Sequence, residues 1–137
     1  GNSGGNSIAG NGAANRLDGG EGDDILRGAA GNDTLTGGLG SDSFVRALGS
    51  DGRDTITDFT LGPGGDNLDI GDVLTGYDAG DDAAEFVQLV VSNGNTIVRI
   101  DANGSAGGAQ FADAFVLAGV TVTDPNQLAA DGNLILQ

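Results

Sequence analysis

Apolar side chains recur every nine residues through the first third of the chain, at Ile8, Leu17, Leu26, Leu35 and Phe44. Cut at that period, the sequence reads GNSGGNSIA, GNGAANRLD, GGEGDDILR, GAAGNDTLT and GGLGSDSFV. Each block opens on a glycine (Gly1, Gly10, Gly19, Gly28, Gly37), and its fourth residue is small (Gly4, Ala13, Gly22, Gly31, Gly40). The sixth residue is Asn or Asp in every block: Asn6, Asn15, Asp24, Asp33 and Asp42. A flexible linker has the glycines without the periodic apolar residue. A phosphate-binding loop needs a lysine, and the chain has none.

A six-residue glycine turn followed by a three-residue strand accounts for this period. Glycine lets the turn adopt positive φ, and the apolar eighth residue points inward from the strand. Two blocks make one coil of about 18 residues, so the predicted fold is all-β, a flattened parallel β-roll in which block n lies beside block n+2. Sixth-position carboxylates and backbone carbonyls then face one another across each inter-turn gap. A gap so crowded with oxygen is repulsive unless a hard, oxygen-loving cation fills it. Calcium suits it better than magnesium, which demands tighter octahedral geometry.

Beyond Val45, three residues (Arg46, Ala47, Leu48) interrupt the phase before GSDGRDTIT (49–57) restores it with Asp54 and Ile56. LGPGGDNLD (61–69) is a looser seventh unit with Asp66 and Leu68. The alternation predicts the facing pairs Asn6/Asp24, Asn15/Asp33, Asp24/Asp42, Asp33/Asp54 and Asp42/Asp66. These residues are the candidate calcium ligands, together with the turn backbone at Gly19, Gly20, Gly22, Gly28, Gly31, Gly37, Gly38, Gly40, Gly49 and Gly52.

The pattern changes after residue 57, which sets the expected boundary between a roll (1–57) and a C-terminal cap (58–137). QLVVSNGNTIVRI (88–100) places two apolar runs around Asn93-Gly94, a hairpin signal. FADAFVLAGV (111–120) reads as a buried strand. In TDPNQLAADG, Asp124 is a candidate N-cap, Pro125 the first helical residue and Gly132 the stop. An apolar NLILQ closes the chain. Repeat arrays need capped ends, and this region is suited to that role.

The chain carries 20 acidic residues against 5 basic ones, for a net charge of −15. Nucleic acid and direct membrane insertion are therefore not expected, since nucleic acid and anionic membrane surfaces select basic patches and no stretch approaches a membrane span. All acids but Glu21 and Glu85 are Asp, a short-armed cation ligand and turn former. Acidity for solubility alone would not explain the nine-residue phase. With neither Cys nor His, the chain lacks disulfides, Cys/His zinc sites and a Ser-His-Asp triad. Threonine ladders and aromatic platforms for sugar or surface binding are scarce. No enzymatic constellation stands out once the phased aspartates are assigned to metal.

The blocks resemble the RTX (repeats-in-toxin) pattern G-G-x-G-x-D-x-U-x, which GGEGDDILR and GGLGSDSFV match throughout and GAAGNDTLT matches but for its second glycine. The order SDSFV, DTITDF, GGDNLDIGDVL, hairpin, FVLAGV and terminal LILQ is similar to the C-terminal target domain of type I-secreted RTX proteins, above all that of giant bacterial adhesins. The resemblance implies a Gram-negative bacterium, a large cell-surface or biofilm adhesin as parent, and a C-terminal signal read by a type I secretion transporter. A secreted protease or lipase is the alternative parent. Because the chain begins inside an array, it is expected to be the tail of a longer extracellular protein, a monomer whose calcium-dependent folding completes export.

Overall fold

The computed structural model describes residues 1–104 and 106–137. The repeats supply the strands β1 (Ser7–Ala9), β2 (Arg16–Glu21), β3 (Ile25–Arg27), β4 (Thr34–Leu39), β5 (Ser43–Val45), β6 (Asp54–Ile56) and β7 (Asn67–Asp69). The remainder adds β8 (Val87–Ser92), β9 (Asn95–Ile100), β10 (Ala112–Leu117), the helix α1 (Pro125–Ala130) and β11 (Leu134–Ile135). The odd-numbered repeat strands and β11 form one sheet in the order β1-β3-β5-β7-β11, and the even-numbered repeat strands with β10, β9 and β8 form a second, β2-β4-β6-β10-β9-β8. Successive blocks thus alternate between the two sheets, as a roll requires.

The register is that of blocks stacked two apart. Ile8 pairs with Leu26 and Leu26 with Phe44, while Leu17 pairs with Leu35. After the insertion, Leu35 pairs with Ile56 and Phe44 with Leu68, so each eighth-position side chain stays in its column. Leu26, Leu35, Phe44, Ile56 and Leu68 are buried in one continuous core. Strand length departs from the simple prediction on one face: β2 and β4 run six residues, extending through Gly19–Glu21 and Gly37–Leu39 into the next turn.

The C-terminal region continues both sheets. β10 pairs parallel to β6 and antiparallel to β9, and β9 pairs antiparallel to β8 through the turn at Asn93 and Gly94, both with positive φ. This is the primed turn whose twist matches a hairpin. β11 docks parallel on β7, with Leu134 opposite Leu68. Asp124 caps α1 by accepting hydrogen bonds from the Asn126 and Gln127 amides. Phe115, Leu117, Val98, Phe86 and Leu128 fill the space above the last coil, in the same core as the repeat side chains.

Candidate metal centre

Each sixth-position residue sits at the end of its turn, just before a strand or, for Asp54, at its first residue, and there the five facing pairs come together in one repeated contact. The Asn6 amide donates to Asp24 Oδ1 (2.6 Å) and the Asn15 amide to Asp33 Oδ1 (2.7 Å). The Asp24 amide donates to Asp42 Oδ1 (2.9 Å), that of Asp33 to Asp54 Oδ1 (3.0 Å), and that of Asp42 to Asp66 Oδ1 (2.9 Å). One oxygen of every carboxylate therefore ties its turn to the previous turn on the same edge. Asp24, Asp33, Asp42, Asp54 and Asp66 are all buried.

The second oxygen separates the turns into two kinds. In the six-residue turns 19–24, 28–33 and 37–42, the Oδ2 atoms of Asp24, Asp33 and Asp42 are buried without a hydrogen-bond partner. A buried carboxylate oxygen left bare is costly unless a charge or donor meets it. Beside each of these oxygens lies the opening glycine of the same turn. A Cβ added to Gly19 would lie 2.3 Å from Asp24 Oδ2 and 2.5 Å from the Gly37 carbonyl oxygen. One added to Gly28 would lie 2.3 Å from Asp33 Oδ2 and 2.9 Å from Asp54 Oδ2, and one on Gly37 would lie 2.2 Å from Asp42 Oδ2. The bare oxygen of each turn thus lies against its opening glycine, joined by a carbonyl oxygen at Gly19 and a second carboxylate oxygen at Gly28, and carboxylate and carbonyl oxygens are the donors that calcium takes. Among the described residues no cluster of three or more His, Cys, Asp or Glu side chains stands ready for a metal. The converging donors are carboxylates supplemented by backbone carbonyls, a set that suits calcium and not zinc.

The other turns close on themselves. In turns 1–6 and 10–15 the side-chain oxygens of Asn6 and Asn15 accept the amides of Asn2 and Asn11 (2.7 Å each). The sixth and seventh turns are longer. The pairing of β3 with β5 brings Arg46, not Gly49, into line with Gly28, so Arg46–Leu48 belong to a nine-residue turn, 46–54. There the Arg46 guanidinium lies 3.8 Å from Asp54 Oδ2. In turn 58–66 the Thr60 amide donates to Asp66 Oδ2 (2.8 Å). Asp58, which the repeat pattern does not single out, takes the place in line with Gly37 and accepts the amides of Gly37 (2.9 Å) and Gly38 (2.8 Å). Asp23 and Asn32, at the fifth position of their blocks, also link coils, accepting the amides of Ser41 and Arg53 (2.8 Å each).

The candidate glycines divide in the same way. Gly19, Gly28 and Gly37 are buried beside the carboxylates, while Gly20, Gly22, Gly31, Gly38 and Gly40 supply positive φ in the turns. Where GAAGNDTLT lacks its second glycine, Ala29 adopts φ 75°, a conformation that strains an L-residue. Gly49 is exposed with open space around it, and Gly52 packs on the Gly31 carbonyl.

Charge and burial act together on the carboxylates. Burial pushes Asp42 up to about 6, against the Asp24 amide that holds it down, and the charges of Asp66, Asp24 and Asp58 add to the rise. Burial likewise raises Asp54 to about 6, helped by the Asp33 charge and opposed by the Asp33 amide and by Arg46. Asp66 is raised for the same leading reason. Without a cation, Asp42, Asp54 and Asp66 resist ionisation.

A family model of the RTX calcium-binding nonapeptide repeat, in four copies, matches residues 1–35 and again 9–44. These residues are RTX repeats. The cation is therefore calcium, in a structural role, and the orphaned oxygens fit it. The solved structure of the AlgE6R3 subunit of the Azotobacter vinelandii mannuronan C5-epimerase superposes with a TM-score of 0.51 over 97% of this chain and 78% of that one, at 22% identity. At that identity the likeness establishes the β-roll fold alone. No curated protein matches the chain.

Proposed function

We propose that this chain is a calcium-triggered folding and export module at the C-terminal end of a large secreted protein. The carrying observation is the trio of buried, unpartnered oxygens on Asp24, Asp33 and Asp42. These carboxylates, with the Gly37 carbonyl beside Gly19, hold the ions, while Asp54 Oδ2 faces the Arg46 guanidinium. Asp66, Asn6 and Asn15 hold the coils in register through the hydrogen bonds described above. In a calcium-poor cytosol the −15 charge and the bare oxygens oppose folding. At extracellular calcium, binding free energy becomes folding free energy, which draws the emerging chain outward.

The partner in this reading is a type I secretion transporter, and its signal is residues 124–137. Leu128, Leu134 and Leu136 of that segment are buried, and Asn133 is tied to Gly62 and Asp66. A transporter must therefore meet the segment before the chain folds, in keeping with export of an unfolded polypeptide. The module itself is non-catalytic and monomeric, with residues 1–57 as the roll and 58–137 as the cap and signal region. Among the described residues no helix is long and apolar enough to cross a membrane.

The resemblance to adhesin target domains makes a surface or biofilm adhesin the first parent to test. The likeness to an epimerase subunit supports a second reading, in which the parent is a secreted enzyme. Circular dichroism with EGTA and with millimolar calcium tests the folding trigger, and equal β content in both would refute it. Deleting residues 124–137 should abolish export of a fused passenger. Unchanged secretion would remove the transporter from the account.

A further inference from the structure

Arg46 stands where the earlier turns have glycine. Pairing of Leu26 with Phe44 carries Gly28 into line with Arg46, and the Arg46 amide continues the ladder by donating to the Asp69 carbonyl (2.8 Å). In turns 19–24, 28–33 and 37–42 a Cβ at this position would collide with the turn's own carboxylate oxygen. The sixth turn accepts a long side chain because it has nine residues instead of six. That side chain is only 10% exposed. Its NH2 donates to the Gly52 carbonyl (3.0 Å), and its NH1, which makes no hydrogen bond, lies 3.8 Å from Asp54 Oδ2. A carboxylate and a backbone carbonyl thus converge on a guanidinium, the same two donor types that ring the opening glycine of turn 19–24.

We infer that Arg46 is the resident cation of the sixth turn: its guanidinium holds the place that calcium takes in turns 19–24, 28–33 and 37–42, and so excludes calcium from turn 46–54. The inference rests on the calcium reading of those three turns. Two features set this turn apart and belong together. Three extra residues provide room, and a buried positive charge occupies it. A divalent ion entering here would have to displace a buried guanidinium and would be repelled by its charge while it remained. The turn next to the cap is therefore closed before any calcium arrives, whereas the three preceding turns wait for it.

Calorimetric calcium titration of the whole chain, beside its Arg46→Gln and Arg46→Lys variants, tests this. Arg46→Gln removes the charge, keeps a side chain of similar reach, and leaves Asp54 facing a vacated space. It should bind one more calcium per chain than the parent and require more calcium to fold. Arg46→Lys keeps a positive charge and should retain the parent's ion count. An unchanged count in Arg46→Gln, with the parent binding calcium normally, overturns the inference and leaves the calcium reading intact. An extra ion in Arg46→Lys also overturns it, because charge would then not be the excluding factor. So does an Arg46→Gln variant unfolded at every calcium concentration, since Asp54 would then need the guanidinium itself and not a cation. A parent chain that binds no calcium removes the calcium reading and this inference with it.

Discussion

The two halves of the molecule solve the same problem with different means. Among the first 45 residues only Leu26, Leu35, Phe44 and Val45 are buried hydrophobics, and three buried carboxylate oxygens there lack partners. In the C-terminal half, Phe86, Val98, Phe115, Leu117 and Leu128 form a substantial core, and the buried polar groups find partners within the chain. Thr96 donates to the Val120 carbonyl and accepts the Val122 amide, Asp101 accepts the Gln110 amide, and Asn133 bonds Gly62 and Asp66. A region that satisfies its own polar groups folds on its own terms. One that buries unmatched negative oxygen needs something from outside, and its stability follows the supply of that ion.

The largest expected effect lies in the cap. Phe115→Ala should cost about 3–5 kcal/mol, and thermal unfolding should show a similar loss with calcium and with EGTA. A loss confined to one condition would merge the two halves. Next comes Asp24→Ala, which removes a ligand and strips the Asn6 amide of its acceptor. It should raise the calcium needed for folding several-fold and cost about 1–3 kcal/mol, checked by calcium titration followed by circular dichroism.

The pH dependence separates the halves further. In calcium-free buffer the folded Asp42 and Asp54 hold their protons up to about 6, whereas their unfolded counterparts ionise near 3.8. Their contribution to the calcium-free fold is fully present below the unfolded value and is lost as pH rises through about 6. The melting temperature of the calcium-free chain should therefore fall between pH 4 and 7, while calcium, which needs the ionised carboxylates, should stabilise more strongly over the same range. A calcium-free melting temperature that rises with pH would contradict this.

Smaller effects sharpen the ligand assignment. Ala29→Gly relieves the φ of 75° and should stabilise by about 0.5–1 kcal/mol in thermal melts. Asp18→Ala removes the same formal charge as Asp24→Ala from an exposed site and should change stability by less than about 0.5 kcal/mol.

The roll was legible because its grammar is local and periodic. A nine-residue phase with one inward apolar side chain dictates the coil length, the n/n+2 register and the contacts of Asp24 with Asn6 and Asp42. Asn93-Gly94 and Asp124-Pro125 were legible because each satisfies a short-range stereochemical demand. Arg46 was not, because a period shows where it is broken but not what fills the break. Asp58 escaped for a related reason: its carboxylate meets Gly37 and Gly38 only once a longer turn has brought the chain round. The pairing of β10 with β6 joins residues about sixty apart in sequence, and no local pattern specifies such a partner.

The central claim is that the first half of the molecule needs ions to meet its buried carboxylates, whereas the second satisfies its buried polar groups from within the chain. Hydrogen exchange resolved amide by amide, with EGTA and with millimolar calcium, tests it most directly. The amides of Asp24, Asp33 and Asp42, which donate to carboxylates of the next coil, should be strongly protected with calcium and lose that protection in EGTA, while those of β9 and β10 change far less. Equal protection of Asp24, Asp33 and Asp42 in the two conditions would contradict the account.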